Sequence, residues 1–390
     1  MNVLHISPSF YPASGYGGTI YSGYSLCNNL AAIEGLKLRV LTTDSDGPRE
    51  KQRINVEQFP TRFPQGYEVY YCRRTVGADV SFQMFRQLWP MIRWADVVHL
   101  TAVYSPPTIP TLAITKLLRK PLVWSTRGAL QRWDGSTRRS VKSAWDRVCN
   151  WLCDRPRVEL HVTSQEELRD STAVITRAGA TVIPNGIDLP HLNGHHKLES
   201  KQLHALFLGR LHPIKGIENL LQAIANAEAK ITLSICGEGE PDYSQQLQHL
   251  VQELALEDRV QFHGRVDGSA KEEQFQKADL CIVPSFKENF CIVIAESLAR
   301  GVPVIASTGA PWPGLESHGC GLWVKNDPET LSESINRAAT MPLSAMGRRG
   351  RDWMEREYSW SEVARRMNEL YQSLLGKGQR AKGKELRAKS

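Results

Sequence analysis

The chain has 390 residues, of which 41% are hydrophobic and 23% are charged, and its formal net charge is +7. This length is enough for two buried cores, so two domains are the natural expectation. No apolar run is long enough to cross a bilayer, and the stretch VLHIS begins at Val3 without a charged leader. The composition therefore predicts neither a transmembrane span nor a secretory signal.

The eight cysteines include no Cys-x-x-Cys pair, and several lie in strand-like apolar runs. This pattern predicts reduced thiols that pack in the cores of a cytoplasmic protein, and it gives no sign of a zinc site.

Basic residues are concentrated at the C-terminus, where residues 376–390 contain six Lys or Arg and one Glu. This composition predicts a basic disordered tail. The tail could keep the protein soluble, or it could contact an anionic membrane surface, where each basic residue adds ~1 kcal/mol.

Strand VLHIS is followed by a loop with Gly15, Gly17 and Gly18 and by a helix from Thr19 to about Ala32. Glycines in such a loop let the backbone approach a ligand closely and present N–H groups to an anion. A flexible turn would have the same composition, so both interpretations stay open.

The next strand, LKLRVLTTD, ends in Asp44-Ser45-Asp46. Two carboxylates at this spacing could hold a metal ion, but the sequence DSDGP also has ordinary turn chemistry, which we favour. Further strand-like runs, YEVYYCRR, DVVHL and PLVWS, alternate with helical patterns near residues 82–94 and 108–118. The alternation predicts an open parallel sheet covered by helices on both faces.

The helix predicted for residues 137–153 has two distinct faces. Its apolar stripe favours a position in the core over membrane contact. Its basic face would suit a phosphorylated or lipid-linked acceptor, or an anionic membrane surface. The stripe is Val141, Trp145, Val148 and Leu152, and the basic residues are Arg138, Arg139, Lys142 and Arg147.

The second half begins with strand HALFLGRL, after a polar linker at residues 189–202. Arg210 and Lys215 flank the turn from this strand into a helix that starts at Ile217. Two cations beside a helix N-terminus form a diphosphate site on physical grounds, although unpaired surface cations would look the same. The following ICGEGE has Asp242 in place of the third glycine of a dinucleotide motif, which weakens that interpretation.

Residues 281–307, CIVPSFKENFCIVIAESLARGVPVIAS, have the pattern strand, loop, helix, strand. A loop that leaves a parallel strand and enters a helix is where such sheets bind ligands. Glu288 lies in the loop and Glu296 in the helix. Their separation along a helix is about 12 Å, whereas a glycosidase acid/base pair is about 5 to 9.5 Å apart. The two carboxylates therefore suit two ends of one elongated, hydroxyl-rich ligand.

The motifs VIPNGID, GRLHPIKG, ICGEGE, FHGRV, PSFKENFCIVIAES, GVPVIAS and HGCGLWV occur in an order and spacing that resemble a family 4 glycosyltransferase of the GT-B fold. The segment STRGALQRW resembles sequences of the polysaccharide-biosynthesis branch of this family. The resemblance implies an α/β protein with two Rossmann-like domains whose parallel sheets face each other across a cleft. Its parts would be an acceptor-side domain at 1–188, a linker at 189–202, a nucleotide-sugar domain at 203–357, a helix at 358–375 that crosses back, and the tail at 376–390.

The resemblance also implies roles for individual residues. Glu288, Arg210 and Lys215 would be the catalytic groups, Glu288 on the hydroxyls of the transferred sugar and the two cations on the donor diphosphate. Glu296 would bind the ribose. The other donor contacts would be Gly17, Gly18, Gly209, Gly264, Arg265, Asn289, Phe290, Cys291 and Ile292.

Two positions depart from the family pattern. Cys291 stands where the family usually has glycine, which changes how the backbone can approach the ligand. The family often has a histidine after the strand that is PLVWS here, whereas this chain has Thr126-Arg127-Gly128. Arg127 could contact donor or acceptor in its place. His99 ends a neighbouring strand and could be a polar contact in the cleft or a core histidine.

The resemblance predicts a retaining, metal-independent transferase that moves a sugar from a nucleotide-diphosphate donor, with UDP favoured, to a saccharide or lipid-linked acceptor. No cofactor, metal or nucleic acid is expected. The enzyme would work in the cytoplasm on cell-surface polysaccharide or glycoconjugate assembly, and it could lie on the inner face of the plasma membrane. Two alternatives stay open: a GT-B enzyme of another reaction, such as a nucleotide-sugar epimerase or a phosphorylase, and a non-catalytic module that binds sugar nucleotide or nucleic acid.

Overall fold

The structure is a computed structural model that describes residues 1–13, 18–47, 53–76, 80–131, 139–190 and 202–387. The chain divides into two compact units, one formed by Met1–Gly186 with Trp360–Ser390 and the other by Ile187–Ser359. Most of the predicted linker, at 191–201, lies outside the described residues, as do Gly15, Gly17 and Arg138.

The first unit is built on an eight-stranded sheet with the order β3-β4-β2-β1-β5-β6-β7-β8. The strands are β1 (Asn2–Ile6), β2 (Lys37–Thr43), β3 (Thr61–Arg62), β4 (Glu68–Cys72), β5 (Val97–Thr101), β6 (Leu122–Ser125), β7 (Val158–Val162) and β8 (Gly179–Val182). All neighbours are parallel except β3 and β4. The predicted parallel sheet is therefore confirmed, with one short antiparallel strand at its edge.

Helices cover both faces of this sheet. They are α1 (Gly18–Ala31), α2 (Phe82–Trp94), α3 (Thr108–Leu117), α4 (Arg139–Leu152) and α5 (Gln165–Val174). Apolar side chains of α2 to α5 pack in one core, and those of α1 pack in a second core on the opposite face. The chain moves across the sheet in one direction from β4 through β8 and in the other direction from β1 to β2. Because crossovers are right-handed, the connecting helices of the two directions lie on opposite faces.

The apolar stripe predicted for α4 is only partly a core stripe. Leu152 is buried and Trp145 is half-buried, but Val141 and Val148 are 64% and 42% exposed. The helix is rotated so that the buried Asp146 and Cys149 face the sheet. Asp146 is accommodated there because its Oδ1 accepts a hydrogen bond from Tyr104 Oη at 3.0 Å. The prediction of a core position was therefore wrong for Val141 and Val148.

The second unit has a six-stranded parallel sheet with the order β11-β10-β9-β12-β13-β14. The strands are β9 (Leu203–Leu208), β10 (Ile231–Cys236), β11 (Val260–Gly264), β12 (Leu280–Val283), β13 (Val304–Ser307) and β14 (Gly321–Val324). The helices are α6 (Ile217–Asn226), α7 (Pro241–Glu253), α8 (Gly268–Lys277), α9 (Ile292–Ala299), α10 (Gly314–Ser317), α11 (Pro328–Ala338) and α12 (Leu343–Glu357).

Strand order reverses beside β9 in this sheet, because the chain moves outward from β9 to β11 and then returns to β12 on the other side. Helices α6, α7 and α11 contribute to one core, and α8, α9 and α12 to the other. Ligands of open parallel sheets bind outside the carboxyl ends of the strands at such a reversal. The loops after β9 and β12 therefore occupy the expected ligand position of the second unit.

The last helix, α13 (Trp360–Arg387), belongs to the first unit and packs against α1. Val363, Met367 and Leu370 are among its buried residues. The helix continues to Arg387, so residues 376–387 of the tail are helical and not disordered as predicted. Eight of these twelve residues are Lys, Arg, Ala, Gln or Glu, which have high helix propensity, and three are glycine, which has low propensity; the prediction considered charge alone. None of the described helices is long and apolar enough to cross a bilayer.

Candidate functional site

The turn after β9 is fixed against neighbouring segments of the second sheet. Gly209 donates its N–H to the carbonyl of Cys236 at 2.9 Å, and a 3₁₀ turn follows at Pro213–Lys215. Gly216 then has a φ of 62°, and a Cβ atom there would lie 2.3 Å from the carbonyl oxygen of Pro284. This left-handed glycine therefore lets the β9–α6 turn pack directly against the β12–α9 loop.

The loop from β12 to α9 is held by backbone hydrogen bonds on two sides. Phe286 donates its N–H to the carbonyl of Ile214 at 2.8 Å, and Glu288 donates its N–H to the carbonyl of Gly309 at 2.9 Å. The loop is thus tied to the β9–α6 turn and to the segment after β13. These bonds fix the backbone from which the Glu288 side chain extends.

The side chains of Lys215 and Glu288 form an ion pair, with 2.5 Å between Nζ and Oε1. The hydroxyl of Ser285 donates to the same carboxylate oxygen at 2.8 Å. Only 21% of the Lys215 side chain and 13% of the Glu288 side chain are exposed. The structure therefore brings together two of the three residues predicted to be catalytic. Ser285 was not among the predicted site residues, although its place in the same loop as Glu288 is a signal for it.

Arg210, the third of these residues, follows β9 at the same edge of the sheet. Its side chain is exposed and forms no ion pair with any residue that the structure describes. The structure places Arg210 five residues before Lys215, on the strand-to-turn segment that carries Gly209. A guanidinium in this position can bind an anionic ligand without first breaking an ion pair to a described residue.

Helix α9 begins without a side-chain cap. Cys291 occupies the N-cap position with a φ of 62°, in the left-handed region that glycine adopts without strain. Ile292 opens the helix, so backbone N–H groups and the positive end of the helix dipole follow Glu288 closely in the chain. Burial, reinforced by the Glu288 carboxylate, raises the pKa of the Cys291 thiol well above its usual value, so the thiol stays protonated.

Asn289 and Phe290 connect Glu288 to this helix. Phe290 is buried against Trp312, whose indole N–H donates to the Phe290 carbonyl. The Oδ1 atom of Asn289 is buried and has no hydrogen-bond partner among the described residues. A buried amide oxygen without a partner is costly, so it is a candidate acceptor for a ligand hydroxyl.

Glu296 has a cationic partner of its own, on a different helix. Lys271 of α8 lies 2.6 Å from it, measured from Nζ to Oε1, and the two side chains are 24% and 17% exposed. Each of the two glutamates is thus paired with a separate lysine. That they do not form one catalytic couple stays a prediction. The sequence gives no local signal for Lys271, because it is 25 residues from Glu296.

Gly264 and Arg265 lie at the carboxyl end of β11. Gly264 has a φ of 65° and accepts a hydrogen bond from the N–H of Gly237 at 2.7 Å. Arg265 Nε lies 2.7 Å from Asp267 Oδ2 in an exposed ion pair. The structure therefore places both residues at the same edge of the second sheet as the loops after β9 and β12.

His99 is a core histidine in the first unit. Its Nδ1 lies 2.6 Å from Tyr371 Oη and its Nε2 lies 2.6 Å from Ser125 Oγ. Ser125 Oγ is also 2.6 Å from Nδ1 of His161, and the Nε2 of His161 lies 2.9 Å from the carbonyl oxygen of Ile183. These contacts link α13 to Ile183, the residue after β8, through the interior of the unit.

The donor and acceptor in each of these four hydrogen bonds can be assigned from the carbonyl of Ile183, where the series ends. A carbonyl can only accept, so Nε2 of His161 carries the hydrogen and Nδ1 accepts from the Ser125 hydroxyl. That hydroxyl then accepts from His99 Nε2, which leaves His99 Nδ1 to accept from Tyr371. Burial lowers the pKa of His161 to about 4 and that of His99 well below its usual value, so both imidazoles are neutral.

Arg127 is also in the first unit, with a φ of 51° that is unusual for a residue with a side chain. Its Nη1 donates to Asn185 Oδ1, and its buried Nε has no partner among the described residues. Burial lowers the pKa of its guanidinium, and the nearby Glu167 carboxylate opposes this. Glu167 itself accepts from Gly128 N–H, so it fixes the turn that carries Arg127.

Gly17 lies outside the described residues, and Gly18 is the first residue of α1. Asp44 Oδ1 accepts from the N–H of Arg74 at 2.8 Å and lies 3.6 Å from Arg74 Nε, while Asp44 Oδ2 lies 3.8 Å from Arg53 Nη1. The carboxylate is therefore engaged with arginines. Within the described parts of the chain, no group of three His, Cys, Asp or Glu side chains is placed to hold a metal ion.

Two parallel-sheet α/β units, each with its loops at the carboxyl ends of the strands, define the GT-B class of glycosyltransferase folds, as predicted. The family models agree with the fold. The model described as Glycosyltransferase Family 4 matches residues 16–190, and the model described as Glycosyl transferases group 1 matches residues 192–353. The chain belongs to this family of glycosyltransferases.

Individual relatives are distant. A D-inositol 3-phosphate glycosyltransferase of Corynebacterium glutamicum is 29% identical over 180 residues, which cover 43% of this chain and 43% of that protein. The chain thus spans less than half the length of the curated relatives it matches first.

Solved structures resemble nearly the whole chain in fold. Sucrose-phosphate synthase from Thermosynechococcus elongatus has a TM-score of 0.70 at 22% identity, covering 96% of this chain and 99% of that one. HepE of Anabaena, in complex with UDP, has a TM-score of 0.69 at 16% identity, covering 96% and 100%.

Proposed function

We propose that the protein is a retaining glycosyltransferase that moves a sugar from a nucleoside-diphosphate donor to a hydroxyl of a saccharide or lipid-linked acceptor. The observation that carries the proposal is the Lys215–Glu288 pair, held at 2.5 Å where the strand order of the second sheet reverses. A cation that would bind phosphate and a carboxylate that would bind sugar hydroxyls are side by side there, beside the uncapped N-terminus of α9.

The donor would lie along the carboxyl edge of the second sheet. Arg210 and Lys215 would bind the diphosphate, and Glu288 would accept hydrogen bonds from hydroxyls of the transferred sugar. Glu296 would accept them from the ribose, since it is held by a separate lysine, Lys271. Backbone groups near the donor would come from Gly209, Gly264, Arg265, Asn289, Phe290, Cys291 and Ile292.

Transfer breaks the bond between the anomeric carbon and the diphosphate oxygen and forms one to the acceptor oxygen. Negative charge develops on the departing phosphate and positive charge on the sugar ring. Arg210, Lys215 and the α9 N–H groups would stabilise the phosphate without a metal ion. Attack on the face that the phosphate leaves would retain the anomeric configuration, and the departing phosphate oxygen would take the proton of the acceptor hydroxyl.

The donor and acceptor classes draw support from relatives. HepE of Anabaena binds UDP, which favours a UDP-sugar as donor. The Corynebacterium relative is named D-inositol 3-phosphate glycosyltransferase, which favours a polar or phosphorylated acceptor for this chain. Assembly of cell-surface polysaccharide or glycoconjugate in the cytoplasm, on the inner face of the plasma membrane, would combine such a donor with a lipid-linked acceptor.

The test is a thermal-shift screen of UDP-, GDP- and ADP-sugars, because a ligand that binds the native state raises the melting temperature with its affinity. We expect one nucleotide series to stabilise the protein, and Lys215→Ala to remove that shift. Free nucleoside diphosphate should then be released only when an acceptor is present. Conversion of the donor without an acceptor would favour an epimerase, and binding without release under any acceptor would favour a non-catalytic module.

A further inference from the structure

The outer surface of helices α2, α3 and α4 carries apolar and cationic side chains in ordered stripes. On α2, Phe82, Arg86, Trp89 and Arg93 follow at helical spacing, and all four are exposed. The two aromatic residues alternate with the two arginines along one line. A stripe of this composition exposes large apolar area that the unit itself does not cover.

Helix α4 presents a matching stripe. Val141, Ala144, Val148 and Trp151 face solvent, with Trp151 62% exposed. Arg147 is exposed beside them. The side chains that anchor α4 to the sheet, Cys149 and Leu152 among them, are on its opposite face.

Helix α3 lies between the other two, since it contacts both. Its exposed apolar residue is Leu117, at 70%, and the half-buried Ile109 and Ala113 precede it at four-residue spacing and pack partly against the core. The three helices thus form one surface, an apolar strip flanked by two stripes that contain the aromatic residues. We call it the α2–α4 face.

Lys116 of α3 and Lys120, just after α3, hold the C-terminal ends of the three helices together. Lys120 Nζ donates to the carbonyl oxygens of Arg93 and Ala95, at 3.1 and 2.6 Å. Lys116 Nζ donates to the carbonyl of Trp151 at 2.7 Å and lies 4.6 Å from its ring centroid. The α2–α4 face is therefore a fixed array of side chains on connected helices.

The charge of the α2–α4 face is mainly positive. Exposed basic residues are Arg86, Arg93, Lys116, Arg119, Arg147 and Arg155. Within residues 82–96, 108–120 and 139–155 the acids are Asp96, which is exposed and accepts from the N–H of Asn2 at 2.8 Å, Asp146, which is buried, and Asp154, which is paired with Arg157 at 2.6 Å. The exposed cations of these described segments therefore outnumber the exposed carboxylates.

We propose that the α2–α4 face is a docking surface for an anionic lipid bilayer. Tryptophan, phenylalanine and aliphatic side chains interspersed with arginines suit the boundary between head groups and acyl chains, with the helices parallel to the membrane plane. A polyanion such as RNA would use the cations but would leave the strip of α3 uncovered. The inference extends the membrane location of the proposed function and depends on it only for its biological purpose, because docking and sugar transfer can be measured separately.

The test is co-sedimentation of the full chain with phosphatidylcholine vesicles, with and without phosphatidylglycerol. We expect binding to the anionic vesicles and little to the neutral ones. Arg86→Gln with Arg93→Gln should weaken the binding about thirtyfold, from ~1 kcal/mol for each basic residue. Trp89→Gln with Val148→Gln should also lower the bound fraction on the same anionic vesicles, with no change in net charge.

Matched controls separate this surface from general charge and from the tail. Arg337→Gln with Arg348→Gln removes the same charge from exposed positions of the second unit and should leave binding unchanged. A chain without residues 376–390 should still bind. All variants should keep the wild-type melting temperature and its shift with nucleotide.

Three results would overturn the proposal. In the first, the wild-type chain does not bind anionic vesicles. In the second, the α2–α4 face variants bind like the wild type or no worse than the control variant. In the third, binding depends on the tail alone. Capture of a single-stranded oligonucleotide without vesicle binding belongs to the first case. A chain that docks but shows no nucleotide-dependent shift would support this inference while contradicting the proposed function.

Discussion

Lys215 and Glu288 are 73 residues apart in the chain, yet their side chains meet at 2.5 Å between Nζ and Oε1. Ser285 donates to the same carboxylate oxygen. In the proposed reaction, Lys215 would bind the diphosphate while it stays paired with Glu288. Glu288 would accept hydrogen bonds from the sugar hydroxyls in addition to those from Lys215 and Ser285. The pair would thus orient donor phosphate and donor sugar relative to each other.

Lys215→Ala and Glu288→Ala should each reduce turnover by about 10² to 10³-fold, the cost of removing one preorganised electrostatic contact. The variants should remain folded, as judged by circular dichroism and melting temperature. Lys277→Ala is the matched control, because Lys277 forms a pair with Glu273 that is more than half exposed. Near-normal rates for both site variants would reject the site.

Lys271→Met should weaken donor binding through the ribose. Without Lys271 the Glu296 carboxylate loses the partner that orients it, so it should accept ribose hydroxyls less well. Affinity for UDP should fall, while affinity for a 2′,3′-dideoxy analogue should change much less. Equal losses for both nucleotides in calorimetry would show that Lys271 does not act through the ribose; Lys277→Met serves again as control.

Cys291→Gly should relieve the strain of a side chain in the left-handed region, a cost of roughly 1 kcal/mol, and should keep the transferase activity. Cys291→Val should do the opposite, since a β-branched residue adopts a φ of 62° poorly. Chemical unfolding of the two variants measures the difference. A valine variant as stable as the glycine variant would contradict the assignment of strain to this position.

The buried histidines predict acid sensitivity of the first unit. Burial lowers the pKa of His5 to about 3 and of His161 to about 4, from 6.5. Above pH 6.5 neither the folded nor the unfolded chain protonates them, so their contribution is fully present. As the pH falls from 6.5 towards 4, the unfolded chain gains protons first, and stability should fall by up to about 1.4 kcal/mol per pH unit for each histidine.

His161→Gln should make this acid-induced loss shallower, because it removes one such proton. His249→Gln is the matched control, because His249 is a histidine of the second unit whose side chain is 69% exposed. Unfolding free energies between pH 7 and 4 would measure both slopes. Parallel curves for all three proteins would contradict the role assigned to burial.

A chelator should leave transfer activity unchanged if Arg210, Lys215 and the α9 N-terminus stabilise the leaving diphosphate. Addition of EDTA to an assay without added metal tests this directly. Strong inhibition that added Mg²⁺ or Mn²⁺ reverses would return attention to Asp44 and Asp46, and Asp44→Asn would then be the first variant to examine.

Local patterns in the sequence were sufficient for the elements and for the loops that carry the candidate site. Strands such as VLHIS and PLVWS and helices such as Phe82–Trp94 are confirmed within a few residues. They could be predicted because the spacing of apolar residues and the Gly or Pro residues that end an element are local properties of the sequence. The same holds for the loops after β9 and β12, since parallel strands put their following loops at one edge. The position of Lys215 near Glu288 could be anticipated on this basis.

Contacts between distant segments could not be predicted in this way. Lys271 has no sequence signal, because its partner is supplied by another helix. The role of His99 depends on Tyr371, which is 272 residues away. The face of α4 that is buried depends on a polar contact, from Tyr104 to Asp146, that an apolar count overlooks.

The sequence by itself determined the alternation of strands and helices, the two sheets, and the loops with Lys215, Glu288 and Glu296, because these follow from neighbouring residues and from the geometry of parallel strands. Only the tertiary structure decided which lysine holds which glutamate, which way protons point along the buried histidines, and which apolar residues remain exposed on α2 and α4. These properties depend on which segments, distant in the sequence, pack around a side chain. That packing sets its burial, its charged partner and the direction of its hydrogen bonds.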